Sequence, residues 1–298
     1  MGAVVARPAV LVGNLVVVYV VFGSTYLAIR VMVETVPPLV GAGVRFLVAG
    51  VLLYGWCALR RGGLPRIGRR SLAGTALVGL LVIGGGLGLL TVGERTVPSG
   101  LAALLIASVP AWVVLLRALH GERVRALTWA GVVLGLGGTA LLGGTGHASG
   151  AAVAGVLVLL LAALSEALGS YYTPRFSLPD DPVLSAAVQM LITGPVLLVA
   201  GLAAGEEFAP GKWTAGSVLG LLYLIGPGSV LAYASFVWLV SRAPASIATT
   251  YTYVNPAVAL LLGRLVLDEH LTAAVLAGAV LVVGGVAAVL RGEREAGA

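Results

Sequence analysis

Apolar stretches close to twenty residues long recur from one end of this chain to the other. Ten can be counted, at about 10–30, 39–59, 72–92, 98–117, 127–145, 151–172, 183–204, 215–240, 245–265 and 271–290. A helix of about 20 residues crosses the hydrocarbon of a bilayer, and inside lipid only structures that satisfy their own backbone groups survive. The pattern therefore predicts an all-α integral membrane protein with ten transmembrane helices. The connectors are too short to hold a soluble domain, and only 10% of the residues are charged, against about 25% in a typical soluble domain. Arg7 precedes an apolar stretch that continues to Ile29 without a small-residue cleavage site, so the first run reads as an uncleaved helix.

Charge placement sets an orientation. The densest basic segment, Arg60 to Arg70, lies between the second and third runs, and basic loops stay in the cytoplasm. Ten helices then leave both termini inside. On that arrangement thirteen Lys and Arg residues lie inside and four (Arg30, Arg95, Lys212 and Arg264) outside, with Arg45 within the second run. This distribution accounts for the net charge of +6 without nucleic acid as a partner.

The chain also repeats itself. Pro98 and Pro110 match Pro244 and Pro256 at an offset of 146, as GSTY (23–26) matches GSYY (169–172). Arg117, Glu122, Gly131, Gly137 and Gly138 match Arg264, Glu269, Gly278, Gly284 and Gly285 at 147, and Gly50 matches Gly194. The expectation is two five-helix copies, residues 1–146 and 147–298. An odd number of helices per copy makes the second enter the membrane from the opposite side, so the copies are inverted. Inverted repeats are characteristic of secondary transporters that bind substrate near the midplane.

FGSTYLAIRVMVETVPPLVGAGVRFLVAG (22–50), VPSGLAALLIASVPAW (97–112) and YTYVNPAVALLLGRLVLDE (251–269) resemble the EamA-type drug/metabolite transporter family, most closely its YedA-like inner-membrane branch. The resemblance covers essentially the whole chain. It implies a ten-helix bundle with a central cavity between its halves, exporting small metabolites (amino-acid-like) or drug-like compounds by alternating access. No ATP-binding domain belongs to the pattern. Where such proteins often carry an aromatic residue, commonly Trp, this chain has Phe22 in helix 1 and Glu166 in helix 6. An uptake permease or a passive channel of the same fold stays open at this point.

Glu166 is the first candidate for substrate binding or coupling. It stands about six residues from the end of the sixth run, roughly 9 Å deep at 1.5 Å per residue. A charge near a helix centre costs about 2.5–3.5 kcal/mol, less toward the interface. It reads either as a proton carrier or counter-ion facing a cavity, or as a neutral or inner-facing carboxyl bonded to Ser170 or to a neighbouring helix. Arg45 and Glu94 fall at matching depths and read as a pair forming an outer gate or clamp, while Arg30 and Glu34 read as an interfacial pair. Pro110 and Pro256 sit at equivalent points in two helices, each removing a backbone hydrogen bond, and read as a paired hinge or as two fixed kinks; Ser108 and Asn255 lie close to them. Tyr26, Trp112, Tyr233, Tyr251, Tyr253 and Asn255 complete the candidate lining, although some aromatic residues belong to the interfacial belts.

Enzyme signals are weak. GLGGTA (135–140) lies in a membrane run with no preceding strand, which removes the phosphate-loop reading. Asp180 and Asp181 stand between Pro179 and Pro182 as turn or cap residues, and His120, His147 and His270 fall in separate loops. The single Cys57 excludes an internal disulfide and a cysteine-built metal site. No metal or cofactor is expected. The expected partners are the bilayer, a small-molecule substrate and, through Glu166, protons; the chain reads as a monomer or a homodimer.

Overall fold

The computed structural model describes residues 8–145, 150–242, 247 and 250–296. Arg7, His147 and Pro244, which entered the reading of charge, loops and repeat, lie outside them. Among the described residues the chain is helical throughout, with short connectors and no strand. In chain order the rods are α1 (Ala9–Met32), α2 (Pro38–Arg61), α3 (Arg69–Gly93) and α4 (Ser99–Leu119). Then come α5 (Ala126–Thr145), α6 (Gly150–Tyr172), α7 (Pro182–Ala203), α8 (Ala215–Leu239), α9 (Tyr251–Val266) and α10 (Ala273–Ala296).

Eight of them, α1 to α4, α6 to α8 and α10, are long and apolar enough to cross a membrane. The α5 rod carries a shorter apolar stretch, Ala126–Leu142. The run at 245–265 begins in residues outside those described, and its described part is the 16-residue α9. Val51, Trp56, Leu157, Leu161, Val199, Leu222, Leu265 and Val280 are all more than half exposed, as residues facing lipid are.

Rods from the two halves of the chain pack lengthwise: α2 lies along α7, and α5 along α10. Glycine makes both contacts possible, because backbones approach closely only where no Cβ intervenes. A Cβ on Gly131 would come 2.6 Å from the carbonyl oxygen of Gly285, and one on Gly138 would come 3.0 Å from that of Gly278. The α2–α7 crossing is reciprocal as well. A Cβ on Gly43 would come 2.9 Å from the oxygen of Gly194, and one on Gly194 3.0 Å from the oxygen of Gly43. The largest apolar core joins the other rods, with Ile29, Met32, Leu104, Leu105, Leu159 and Leu224 fully buried.

Three rods widen into π-helical turns: Val18–Phe22 in α1, Leu80–Gly88 in α3 and Leu224–Leu231 in α8. The sequence provides for the last two. Gly84, Gly85, Gly86 and Gly88 fill the α3 stretch, and Pro227, which has no N–H to give the helix, stands between Gly226 and Gly228 in α8. The prolines predicted to act as a pair do different things. Helix α4 breaks after Ile106 and restarts at Val109, with Pro110 in its new first turn, whereas Pro256 lies inside the continuous α9. Proline is accommodated in a first helical turn, where an N–H is unpaired anyway.

The packing of α5 on α10 yields a test. Gly285→Leu must push the rods apart, and overpacking of this kind costs about 1–3 kcal/mol. Gly137→Ala and Gly284→Ala, where an added Cβ meets nothing within 4 Å, should leave the protein as stable as before. Thermal unfolding of the three variants in detergent should separate the first from the other two.

Candidate functional site

Two cavities meet at the centre of the bundle. The larger, about 350 Å³, is lined by Tyr26, Pro110, Glu166, Ser170, Tyr251, Asn255 and Pro256, and reaches Arg117 and Glu293. The smaller, about 230 Å³, is lined by Phe22, Arg45, Leu87, Gly228, Ser229, Tyr233 and Phe236 among others. Tyr26, Ile106, Glu166, Tyr251 and Asn255 belong to both walls, so the two are parts of one space with a waist at Glu166.

The π-helical turns build the inner wall. Each contributes to the smaller cavity: Phe22 from α1, Leu87 from α3, Gly228 and Ser229 from α8. A widened turn frees carbonyls, which lipid cannot satisfy but a cavity or a neighbouring side chain can. One such bond is visible: Ser165 on α6 donates its hydroxyl to the carbonyl of Leu81 at 2.8 Å. The next residue, Glu166, fits against α3 because Gly86 has no side chain; a Cβ there would sit 3.2 Å from the Glu166 Cβ. Phe22, Tyr233, Phe236 and Tyr251 form a connected aromatic wall, with ring centroids 5.3–6.3 Å apart.

Several expected contacts are absent. Glu166 does not bond to Ser170; both line the larger cavity. Arg45 does not pair with Glu94. Its Nε donates to Ser229 Oγ at 2.9 Å, its guanidinium lies 4.8 Å from the centre of the Phe46 ring, and it faces the smaller cavity. Glu94 is fully buried, and neither carboxylate oxygen has a hydrogen-bond partner. Trp112 packs against the apolar core with its indole N–H buried and unpartnered, away from both cavity walls. Arg30 turns from Glu34 to the backbone, donating to the carbonyls of Glu94 and Arg95 at 2.5 and 2.8 Å. Asp181 caps α7, accepting from Val183 N–H at 3.0 Å and Leu184 N–H at 3.3 Å.

Sequence reasoning missed Ser229, Gly228, Phe236 and Leu87. The signal for the first two was Gly226-Pro227-Gly228, a helix-disrupting triplet inside an apolar run, which lipid tolerates only beside a cavity or another helix.

The two ends of the central space differ. At the end carrying Arg60 to Arg70, the larger cavity reaches Arg117, which pairs with Glu122 and Glu293. At the opposite end the second half of the chain reaches across to helix N-termini of the first. Glu206 accepts from Leu39 N–H at 3.2 Å and Val40 N–H at 2.8 Å, at the start of α2. Glu269 accepts from Ser99 N–H, Ser99 Oγ and Gly100 N–H at 2.7, 2.9 and 3.1 Å, at the start of α4. Asp268 makes this reach possible. At φ 53° it takes the left-handed conformation that Asp tolerates better than most residues, turning the chain back at the end of α9. A helix N-terminus attracts anions through its free N–H groups and dipole, so both caps hold without a cationic side chain.

Similar proteins place this architecture. The EamA-like transporter family matches residues 10–144 and again 153–291. Over 254 residues, 85% of this chain and 81% of the relative, the sequence is 41% identical to the uncharacterized inner membrane transporter YedA of Escherichia coli (strain K12). It is 30% identical to the uncharacterized transporter YvbV of Bacillus subtilis (strain 168), over 93% of this chain and 89% of that one. A protein of known crystal structure shares the fold with a TM-score of 0.64 at 22% identity, covering 96% of this chain and 99% of its own.

The Glu269 cap can be tested as a seal. A capping side chain contributes about 1–2 kcal/mol, so Glu269→Ala should raise the population open at that end about 5–30-fold. In a Cys57→Ser background, a cysteine replacing Thr25 in the smaller cavity reports the opening. Its reaction with a water-soluble maleimide, applied from the face bearing Glu206 and Glu269, should speed up by a comparable factor.

Proposed function

This chain belongs to the EamA-like transporter family, and from that membership we propose a secondary transporter that exports small amino-acid-like metabolites or drug-like compounds across the plasma membrane by alternating access. The observation that carries the reading is the central cavity at Glu166, which reaches Arg117 and Glu293 at one end of the bundle, while at the other end Glu206 and Glu269 tie the second half of the chain to helix starts of the first. A pathway closed at one end at a time is what alternating access requires, whereas a passive channel has both ends open together.

In this reading all ten rods cross the bilayer as two inverted five-helix copies, residues 1–146 and 147–298. Two features support the symmetry. The π-helical turns of α3 and α8 begin 144 residues apart, at Leu80 and Leu224, the spacing that also separates Gly50 from Gly194. In the α5–α10 contact Gly131 meets Gly285 while Gly138 meets Gly278. The offset of 147 carries Gly131 to Gly278 and Gly138 to Gly285, so exchanging the copies turns one pair into the other, as across a two-fold axis. The arginine-bearing end is cytoplasmic, with both termini, and the capped end faces outward. Substrate enters past Arg117 and Glu293 and reaches Glu166. The caps at Glu206 and Glu269 then release α2 and α4, and the broken helix α4, with Pro110 in its second segment, bends to open the outer path.

Glu166 is the coupling residue of the mechanism. One carboxylate at the waist of the cavity accepts either a proton or the cationic group of a substrate, never both. A proton gradient directed inward therefore drives substrate outward.

Inverted membrane vesicles test this. Accumulation of a panel of amino acids and cationic drugs should depend on an imposed pH gradient, and Glu166→Gln should remove that dependence. Normal gradient-driven accumulation by the variant would make the glutamate part of the scaffold. Orientation has a separate check: reporter fusions after Gly63 and after Gly211 should fall on cytoplasmic and external faces respectively.

A further inference from the structure

Arg45 is an unusual residue to find in this cavity. It is only 5% exposed, and among the described residues no carboxylate of the chain pairs with it. Ser229 takes its Nε–H; that leaves the two terminal NH₂ groups of the guanidinium fork, the geometry that grips a carboxylate through two parallel bonds. The Ser229 hydroxyl accepts from Arg45 and keeps its own hydrogen free to donate. A buried cation without a directly paired carboxylate is costly, and the smaller cavity gives an anionic group of a bound molecule a way to reach it.

The acidic side of the space is equally unfinished. No arginine or lysine among the described residues pairs with Glu166. Asn255 is 9% exposed, lines both parts of the cavity and holds its Oδ1 buried without a donor. Glu166 and Asn255 thus present acceptors at the waist, where Tyr26 and Tyr251 add aromatic faces that attract cations. Arg45 lines the smaller cavity only, whereas Glu166 and Asn255 line both parts. A molecule arriving from the Arg117 end therefore meets the acceptors first and the guanidinium last.

From this arrangement we propose that Arg45 and Ser229 seat an anionic group of the transported molecule, so that the cavity selects small zwitterions. The carboxylate leads to Arg45 and the ammonium stops between Glu166 and Asn255. The proposal rests on the reading that this cavity is the transport path and narrows it. A molecule carrying only a cation leaves Arg45 uncompensated, and one carrying only an anion leaves Glu166 without a partner other than a proton. Charge at both ends becomes the entry requirement, and the side chain is left to the aromatic wall.

Matched ligand triples test it on the purified full-length protein in lipid nanodiscs. For phenylalanine, leucine and alanine, the free amino acid is compared with its amide, which keeps only the ammonium, and its N-acetyl form, which keeps only the carboxylate. Binding is read as the rise in unfolding temperature against ligand concentration. For at least one triple the zwitterion should act at a concentration at least about tenfold lower than either derivative, the scale of losing one buried charge pair. Arg45→Gln should then bind amino acid and amide alike, Glu166→Gln should bind amino acid and N-acetyl form alike, and Arg45→Lys should keep part of the preference. Amides matching amino acids on the unaltered protein, or no response to any zwitterion, overturns the proposal, and this comparison needs no variant to fold. Gradient-driven accumulation of cationic drugs with no zwitterion preference would leave the exporter reading standing and remove this one; absence of any gradient-driven transport would remove the exporter reading instead.

Discussion

Lipid gives a backbone N–H or C=O no hydrogen-bond partner, and each one left over costs several kcal/mol. Most of this structure follows from that single cost. It makes the described residues helical apart from short connectors, and it restricts where the helices can deviate. The deviations gather: the π-helical turns of α1, α3 and α8 all supply residues to the smaller cavity, and the break in α4 precedes Pro110 on the wall of the larger one. A helix can loosen its bonding only where something else satisfies the released groups, as Ser165 does for Leu81. The irregular backbone and the polar interior therefore coincide for one reason.

Charge obeys the same economy with different results at three sites. Glu206 and Glu269 spend their charge on free N–H groups at helix starts, and are satisfied. Glu94 is enclosed with no hydrogen bond to its carboxylate, and Arg45 and Glu166 face the cavity without a direct ion pair among the described residues. Satisfied carboxylates hold parts together, while unsatisfied groups beside a cavity remain free to act on what enters it.

Much of the architecture was legible in the sequence because it depends on length and composition. The runs that became α1 to α4 needed only counting. The site was readable in part for a related reason. Glu166, Tyr26, Tyr233, Tyr251 and Asn255 stood out as polar or aromatic residues in apolar runs, and the cavity gathers them. Arg45 was expected beside Glu94 and bonds Ser229 instead, because its partner is decided by rotation about the α2 axis. Ser229 was overlooked because an isolated serine in an apolar run is unremarkable until an arginine from another helix reaches it.

The two caps that join the halves at the end opposite Arg60 to Arg70 have a further consequence. On the receiving side their chemistry belongs largely to the main chain: Leu39, Val40 and Gly100 contribute only N–H groups, which nearly every amino acid possesses. On the giving side it belongs to two particular side chains. Genetic tolerance should therefore be lopsided across this joint. The helix starts of the first half can drift in sequence while the joint persists, and Glu206 and Glu269, with the hydroxyl of Ser99, carry most of its heritable record.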